Sequence, residues 1–477
     1  MKKFLYVLTL SAALASCKKT ELDLTPFNQI ETANAFKTQA DVTLAVNGMY
    51  QGLRANNYVN GTWNIIADVL SDNLIVSSLG RQSLVPFHEW RYTADNTLAF
   101  FQTGYIIVRR ANAILENIDA FPAGVFKDNT KGEALALRAM VYLDMVRVYS
   151  KTFENASATD STMSYTTITD ATILPTKEPV RGFYQKIVAD LNTALPLINA
   201  SNGVGKLNKV VVSGLLSRAY LYMGDLPNCI TTSTAALGTS PVLPSIVDFP
   251  RVWTDETNNG VLFKVLNTTL DNVNAQGVNY FQIVGGLTRS EYVVEFNLRQ
   301  LFLPTDIRTS TYIQTSLFNG VNQNHIVKYR NRVTGGTPGV AGVVDAKTLR
   351  TAEVLLNRAE AYQRSGNNSA ALADLNLLKL NRYTGFVNIV GLTGAPLLAE
   401  ILSERRLELA FESDRFWDLK RRNLPVLRDA TYGDRSDGTG VKYLFNTLSA
   451  SDYRFLLPFP SSEINYNTAF KQNPGYQ

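Results

Sequence analysis

Three glutamates, Glu404, Glu408 and Glu412, follow one another at i, i+4 and i+8 near the end of a 477-residue chain, a spacing that sets them on one face of a helix. Two carboxylates suffice for glycoside hydrolysis, provided they flank the sugar from opposite sides. A single-face strip interleaved with Arg405, Arg406 and Arg415 reads instead as a salt-bridged surface. Imidazole chemistry would have to use His88 or His325, the only two histidines, and each lies beside aromatic or β-branched residues, as packed histidines do. Two cysteines and two histidines cannot furnish a structural zinc site or a disulfide framework, so no metal and no cofactor is expected. The chain has no Gly-x-Ser-x-Gly elbow, no His-Glu-x-x-His and no Cys-x-x-Cys, and Gly203-Val-Gly205-Lys206 lacks the spacing of a phosphate cradle. A net charge of +5 from 46 basic and 41 acidic residues is too small over this length for a nucleic-acid partner. Lys420-Arg421-Arg422 reads as the cationic end of the glutamate-bearing helix.

The elements that would position any site are mostly helices. One pattern recurs three times, as Leu135-x-x-Arg138-Ala139-x-x-Tyr142, Leu215-x-x-Arg218-Ala219-x-x-Tyr222 and Leu355-x-x-Arg358-Ala359-x-x-Tyr362. Leucine, alanine and tyrosine at i, i+4 and i+7 share a helix face, and the small alanine admits a close neighbour. The second and third copies run into Gly224-Asp225 and Gly366-Asn367 and then into a further apolar-periodic segment, which resembles a tetratricopeptide (TPR) hairpin. Cys229 occupies the slot that Ala371 fills in the other hairpin, five residues past the glycine, and is expected to be a small inert core residue. The copies are unevenly spaced, so other helices, such as Arg181 to Leu197, and loops must separate the hairpins. From about Thr239 to Asp345 the chain is rich in proline, glycine and asparagine with short β-like pieces, and loops that long are usually functional. The expected fold is mainly α, TPR-like hairpins plus a loop-rich ligand region with a few short strands.

At the amino terminus, Lys2 and Lys3 precede an apolar run from Phe4 to Ala15, a signal peptide too short to span a bilayer. Leu14-Ala15-Ser16-Cys17 resembles a bacterial lipobox, which makes Cys17 the lipid anchor and Cys229 the one free thiol. No other stretch approaches the ~20 apolar residues of a membrane span. The expected division is a signal peptide at 1–16, a hairpin-bearing region at 17–240, an irregular ligand region at 241–344 and a carboxy-terminal region at 345–477.

Five ordered motifs then carry a resemblance across nearly the whole mature chain. They are the lipobox, Glu21-Leu-Asp-Leu-Thr-Pro26, the hairpins with Leu355-Leu-Asn-Arg-Ala-Glu-Ala-Tyr362, Glu404-Arg-Arg-x-Glu408-Leu with Arg415-x-x-Asp418-Leu-Lys-Arg421, and Leu457-Pro-Phe-Pro460 to Gln472-Asn-Pro-Gly475-Tyr. Together they resemble the SusD/RagB family. The resemblance implies an outer-membrane lipoprotein, facing the exterior, that caps a SusC-like TonB-dependent transporter and hands it an oligosaccharide, with no turnover of its own. Lys18-Lys19 departs from the acidic residues many members carry after the anchor.

The resemblance also places the ligand face. It maps to Trp63, Asn64, Asp72, Asn73 and Arg81 in the early loops and to Tyr280, Phe281 and Tyr292 in the irregular middle, where rings would stack on pyranose faces and polar groups would read hydroxyls. Trp90 and Trp253 follow core patterns, and Asp306 and Arg308 read as structural. Competing readings are the same fold binding peptides or another nutrient, a surface glycoside hydrolase using Glu404 and Glu408, and a TPR scaffold that binds only protein.

Overall fold

The computed structural model describes residues 35–170, 172–270 and 275–476; the signal peptide, Cys17 and Lys18-Lys19 lie outside the described residues. Helix α1 (Gln39–Gln51) starts at Thr38, whose hydroxyl accepts from the Asp41 N–H while the Asp41 carboxylate accepts from the Thr38 N–H, a reciprocal cap. Helix α2 (Trp63–Leu70) is buried on every side. The long helices follow: α3 (Phe100–Ile118), α4 (Val125–Tyr149), α5 (Val180–Leu197), α6 (Lys209–Met223), α7 (Leu226–Leu237), α8 (Thr351–Arg364), α9 (Asn368–Leu380), α10 (Gly394–Glu408) and α11 (Arg415–Arg421).

Helices α3 to α9 pack in chain order, each against the next, and α10 closes against α8. The hairpins expected at Gly224 and Gly366 are present. Both glycines are left-handed, at φ +72° and +84°, which favours glycine, and Asp225 and Asn367 cap the helices that follow. The three repeat alanines, Ala139, Ala219 and Ala359, are wholly buried. Uneven spacing in sequence does not separate the hairpins in space, because α7 lies directly on α8 across the long insertion between them. The repeat arginines lock neighbours together: Arg138 pairs with Asp190, Arg218 with Glu353 and Arg358 with Asp374. Cys229 is buried like Ala371, and burial pushes its thiol up to about 12.

The insertion builds a four-stranded antiparallel sheet. Strand β1 (Leu74–Val76) comes from the segment after α2; β2 (Val261–Val265), β3 (Tyr292–Val294), β4 (Ile313–Phe318), β5 (Val321–Ile326) and β6 (Ala346–Arg350) follow. The order in the sheet is β1-β3-β5-β4, and β2 pairs separately with β6. Asn319-Gly320 joins β4 to β5 with both residues at positive φ, the tight turn whose twist suits a hairpin.

The glutamate strip is not a surface. Helix α10 ends at Glu408 and Glu412 lies in the turn beyond it. Glu404 and Glu408 are buried among Arg308, Arg350 and Arg382, and Glu412 pairs with Arg350 and Lys328. Partners that arrive from remote segments, which helix spacing cannot show, turn the strip inward. Lys420 lies in the last turn of α11, a separate helix from the glutamate-bearing α10. It is buried and donates to the Arg147 carbonyl at 2.6 Å, while the Leu457 N–H and the Asn473 amide take the carbonyls of Val148 and Tyr149, so the carboxy-terminal segment satisfies the orphan carbonyls of α4.

Candidate functional site

Of the eight residues expected on the ligand face, the structure exposes one. Trp63 opens α2 and is packed face to face with Trp417 at 5.9 Å, with Phe100 at 4.9 Å and the Arg147 guanidinium over its ring; Asn64 beside it is buried too. Burial would raise the Asp72 carboxyl, but Arg406 and Arg415 hold it well below the usual carboxylate range, Arg415 through two bonds at 2.8 and 2.9 Å. The Asn73 amide donates to Asp68 at 2.8 Å and its oxygen accepts from Arg406. These residues fasten α2 to the segment around α10 and α11.

The rings of the irregular stretch are also interior. Tyr280 is wholly buried against Tyr329 and Phe411, and Phe281 lies beneath the Arg330 guanidinium. Tyr292, on β3, accepts the Leu84 N–H on its hydroxyl at 3.1 Å. The expectation of rings on solvent-facing loops is therefore corrected. An aromatic ring buries 150–250 Å², and a stretch short of regular structure spends its rings on its own core first. Trp90, Trp253 and the Asp306–Arg308 pair are interior, as read from their patterns. His88 and His325 are buried, and burial holds both imidazoles below their ordinary range.

Arg81 is the exception, with 46% of its side chain exposed. Its Nε donates at 2.7 Å to Glu291, whose carboxylate is wholly buried and whose second oxygen accepts from the Ser83 N–H at 3.0 Å. A second buried carboxylate, Asp434, accepts from the N–H and hydroxyl of Ser78 at 2.8 Å each, from Gln323 at 2.9 Å and from the Val441 N–H at 2.8 Å. Ser436 N–H bonds to the Asn322 carbonyl. Asp434 thus ties the loops at 77–83 and 431–441 to β5 through Gln323, and Glu291 ties residues 81–83 to the start of β3.

The resulting face exposes Arg81, Gln82, Ser83, Asn322 and Arg435, with Phe296 and Tyr432 half-buried as a ring pair at 4.3 Å beside it. A guanidinium fixed as Arg81 is can donate to a hydroxyl without rearranging. Sequence reasoning missed Glu291, Gln323 and Asp434. The turn-rich run Gly433-Asp434-Arg435-Ser436-Asp437-Gly438 was the available signal for the last. Among the described residues, no group of three or more acidic, histidine or cysteine side chains could hold a metal ion, and no described helix is long and apolar enough to cross a membrane.

Comparison with known proteins covers most of the chain. The model of the SusD family matches residues 306–476, and that of starch-binding proteins associating with the outer membrane matches residues 22–221. A SusD-like protein of Formosa agariphila is 25% identical over the full length of both chains. Among solved structures, a SusD superfamily protein from Bacteroides thetaiotaomicron superposes with a TM-score of 0.80 at 22% identity, covering 92% of this chain and all of that one. A SusD-like carbohydrate binding protein from Bacteroides vulgatus superposes with a TM-score of 0.75 at 22% identity, over 91% of this chain and 98% of that one.

Proposed function

The chain belongs to the SusD family, and from that premise we propose that it is a lipid-anchored outer-membrane protein that captures an oligosaccharide on the Arg81 face and passes it to a SusC-like TonB-dependent transporter. The observation that carries the ligand half is the locked guanidinium: a half-exposed cation held by a fully buried acid, on a face that also presents Gln82, Ser83, Asn322 and a second cation, Arg435. Charge-assisted bonds from a pre-positioned donor are the strong ones. Burial of Glu404 and Glu408 in an arginine cluster favours capture without hydrolysis, because neither carboxylate can approach a glycosidic oxygen.

Arg81→Ala alone would leave Glu291 buried and unpaired, so the test uses the Arg81→Ala/Glu291→Gln pair. Calorimetric titration against a panel of neutral oligosaccharides should show one that the parent binds and the double variant binds roughly ten- to a hundredfold more weakly, the worth of one or two bonds to a charged group. Equal affinity for that sugar would move the site elsewhere, and binding of a peptide mixture with no sugar would favour the peptide reading. The anchor is tested by Cys17→Ala, which should abolish lipid labelling and release the protein from the membrane fraction. The transporter is tested by mild-detergent purification of the tagged chain, which should bring down a larger β-barrel protein.

A further inference from the structure

A cavity of about 40 Å³ lies in the interior where α2, α4, α6, β6 and the turn after α10 meet. That is room for roughly one to three waters at about 10–15 Å³ each. Asn64, Asp144, Arg147, Arg218 and Ser413 stand in its wall, each more than nine-tenths buried, and Val59, Trp63, Met140 and Leu409 supply the apolar remainder. Two polar atoms of this wall are unsatisfied. Neither the Asn64 amide nitrogen nor the Arg147 Nε has a hydrogen-bond partner among the described residues, although nearly all buried polar groups find one. Both are donors.

The rest of the wall decides what could accept from them. Its charged side chains are matched: Arg147 pairs with Asp144, Arg218 with Glu353, Lys347 with Asp255, Glu412 with Arg350 and Asp414 with Arg405. An ion placed among them would sit in the interior with no countercharge, at a high desolvation cost. A halide could accept from the two donors but give nothing to the carboxylates, and a metal cation cannot be held by N–H groups. The carboxylates keep acceptor capacity of their own. Asp144 takes the Tyr58 hydroxyl on one oxygen and the Arg147 guanidinium on the other, two of about four acceptor sites. Water accepts from two donors, gives two protons to acceptors, carries no charge and fits the volume.

We propose that this cavity is a binding site for a small cluster of ordered waters, which accept from Asn64 and Arg147 and donate to the carboxylates beside them. Buried waters make about three bonds each, so the cluster ties Asn64 of α2 to Arg147 and Asp144 of α4 and adds to the fastening of α2. The site is independent of the one at Arg81.

The test is a high-resolution crystal structure of the full mature chain, which should show roughly one to three density peaks in this cavity, at least one within hydrogen-bond distance of Asn64 or Arg147. Crystals soaked in bromide should show no anomalous signal there. Asn64→Leu gives a second reading, whose sign differs between a wet cavity and a dry one. With water in place the change strips a bond from the cluster, and melting should fall by about 1–3 °C in a chain of this size, with a peak lost beside residue 64. In a dry cavity it would remove an unpartnered amide at nearly constant volume, and melting should rise. If that variant does not fold, the crystals of the parent still decide. A cavity without density, bromide found in it, or a higher melting temperature for Asn64→Leu would each overturn the proposal.

Discussion

Removal of the Glu408 carboxylate should be among the most damaging single changes in the chain. Its two oxygens accept from Arg350 at 2.7 Å, from Arg382 at 2.8 and 3.0 Å and from Arg308 at 3.2 Å. All four side chains are essentially without solvent. In this cluster Arg308, Arg350, Arg382 and Lys328 face Asp306, Glu404, Glu408 and Glu412, so the charges balance and Glu408→Ala leaves one buried cation uncompensated. Breaking a buried pair this way costs about 3–5 kcal/mol, a large part of the ~5–15 kcal/mol that holds a typical protein folded. Equilibrium urea unfolding would read it as a lower midpoint with an unchanged slope. The charge-neutral double variant Glu408→Leu/Arg382→Leu should recover much of the loss, since apolar replacement of both partners is often nearly neutral. Burial opposes ionisation of Glu408, but Arg382, Arg350 and Arg308 hold its carboxyl well below the usual range. Its contribution is therefore complete above the unfolded value of ~4.3 and lost as pH falls toward the folded one, and the gap between parent and variant should narrow in acid. A Glu408→Ala variant within about 1 kcal/mol of the parent at neutral pH would refute the reasoning, because the cluster would then have to be hydrated or self-compensating.

Trp63→Ala should lower stability by about 3–5 kcal/mol in the same unfolding assay, where a ring on a binding loop would cost almost nothing. Cys229 should resist thiol reagents at pH 8 until the chain unfolds, and rapid labelling of native protein would contradict its burial. Both histidines are held neutral by burial, so the unfolded chain binds more protons below its ordinary histidine value of ~6.5, and stability falls with pH there by up to about 1.4 kcal/mol per pH unit for each histidine. Asp68, raised by burial to about 6, pulls the opposite way at lower pH. The difference between the parent and a His88→Phe/His325→Gln variant isolates the histidine part, and a flat difference from pH 7 to 5.5 would count against it.

Helical architecture was legible because its cues are local. Leu215, Ala219 and Tyr222 announce a buried face by spacing alone, and Gly224 marks the turn that follows. The arginine in each repeat was visible but not its purpose, since Asp190, Glu353 and Asp374 are recognisable as partners only once the helices are stacked. The sheet was half legible: β-like pieces at 261–265 and 325–329 were evident, whereas β1 at Leu74–Val76 was not, since three residues carry no period of their own and need β3 to become a strand. The ligand face was least legible, because ring count and loop character cannot tell a ring aimed at solvent from one that has turned inward. Arg81 alone of the eight reaches solvent, and the buried partner that holds it, Glu291, stands more than two hundred residues away.

The fastening of α2 also bears on when this protein can begin to fold. Asp68 accepts from the Ser413 N–H across 345 residues of sequence, and Arg428 donates to the carbonyls of Val69 and Ser71, where α2 ends. At synthesis rates of about 5–20 residues per second, the ribosome needs roughly 20–70 s to deliver those partners. Until then a helix that is buried on every side has only its amino-terminal neighbours, such as Trp90 and Phe100, to cover it. The amino-terminal part must therefore wait, unfinished, for nearly the entire chain to be made, and a nascent chain released before Ser413 would carry that helix as an adhesive, chaperone-dependent surface and not as a foldable domain.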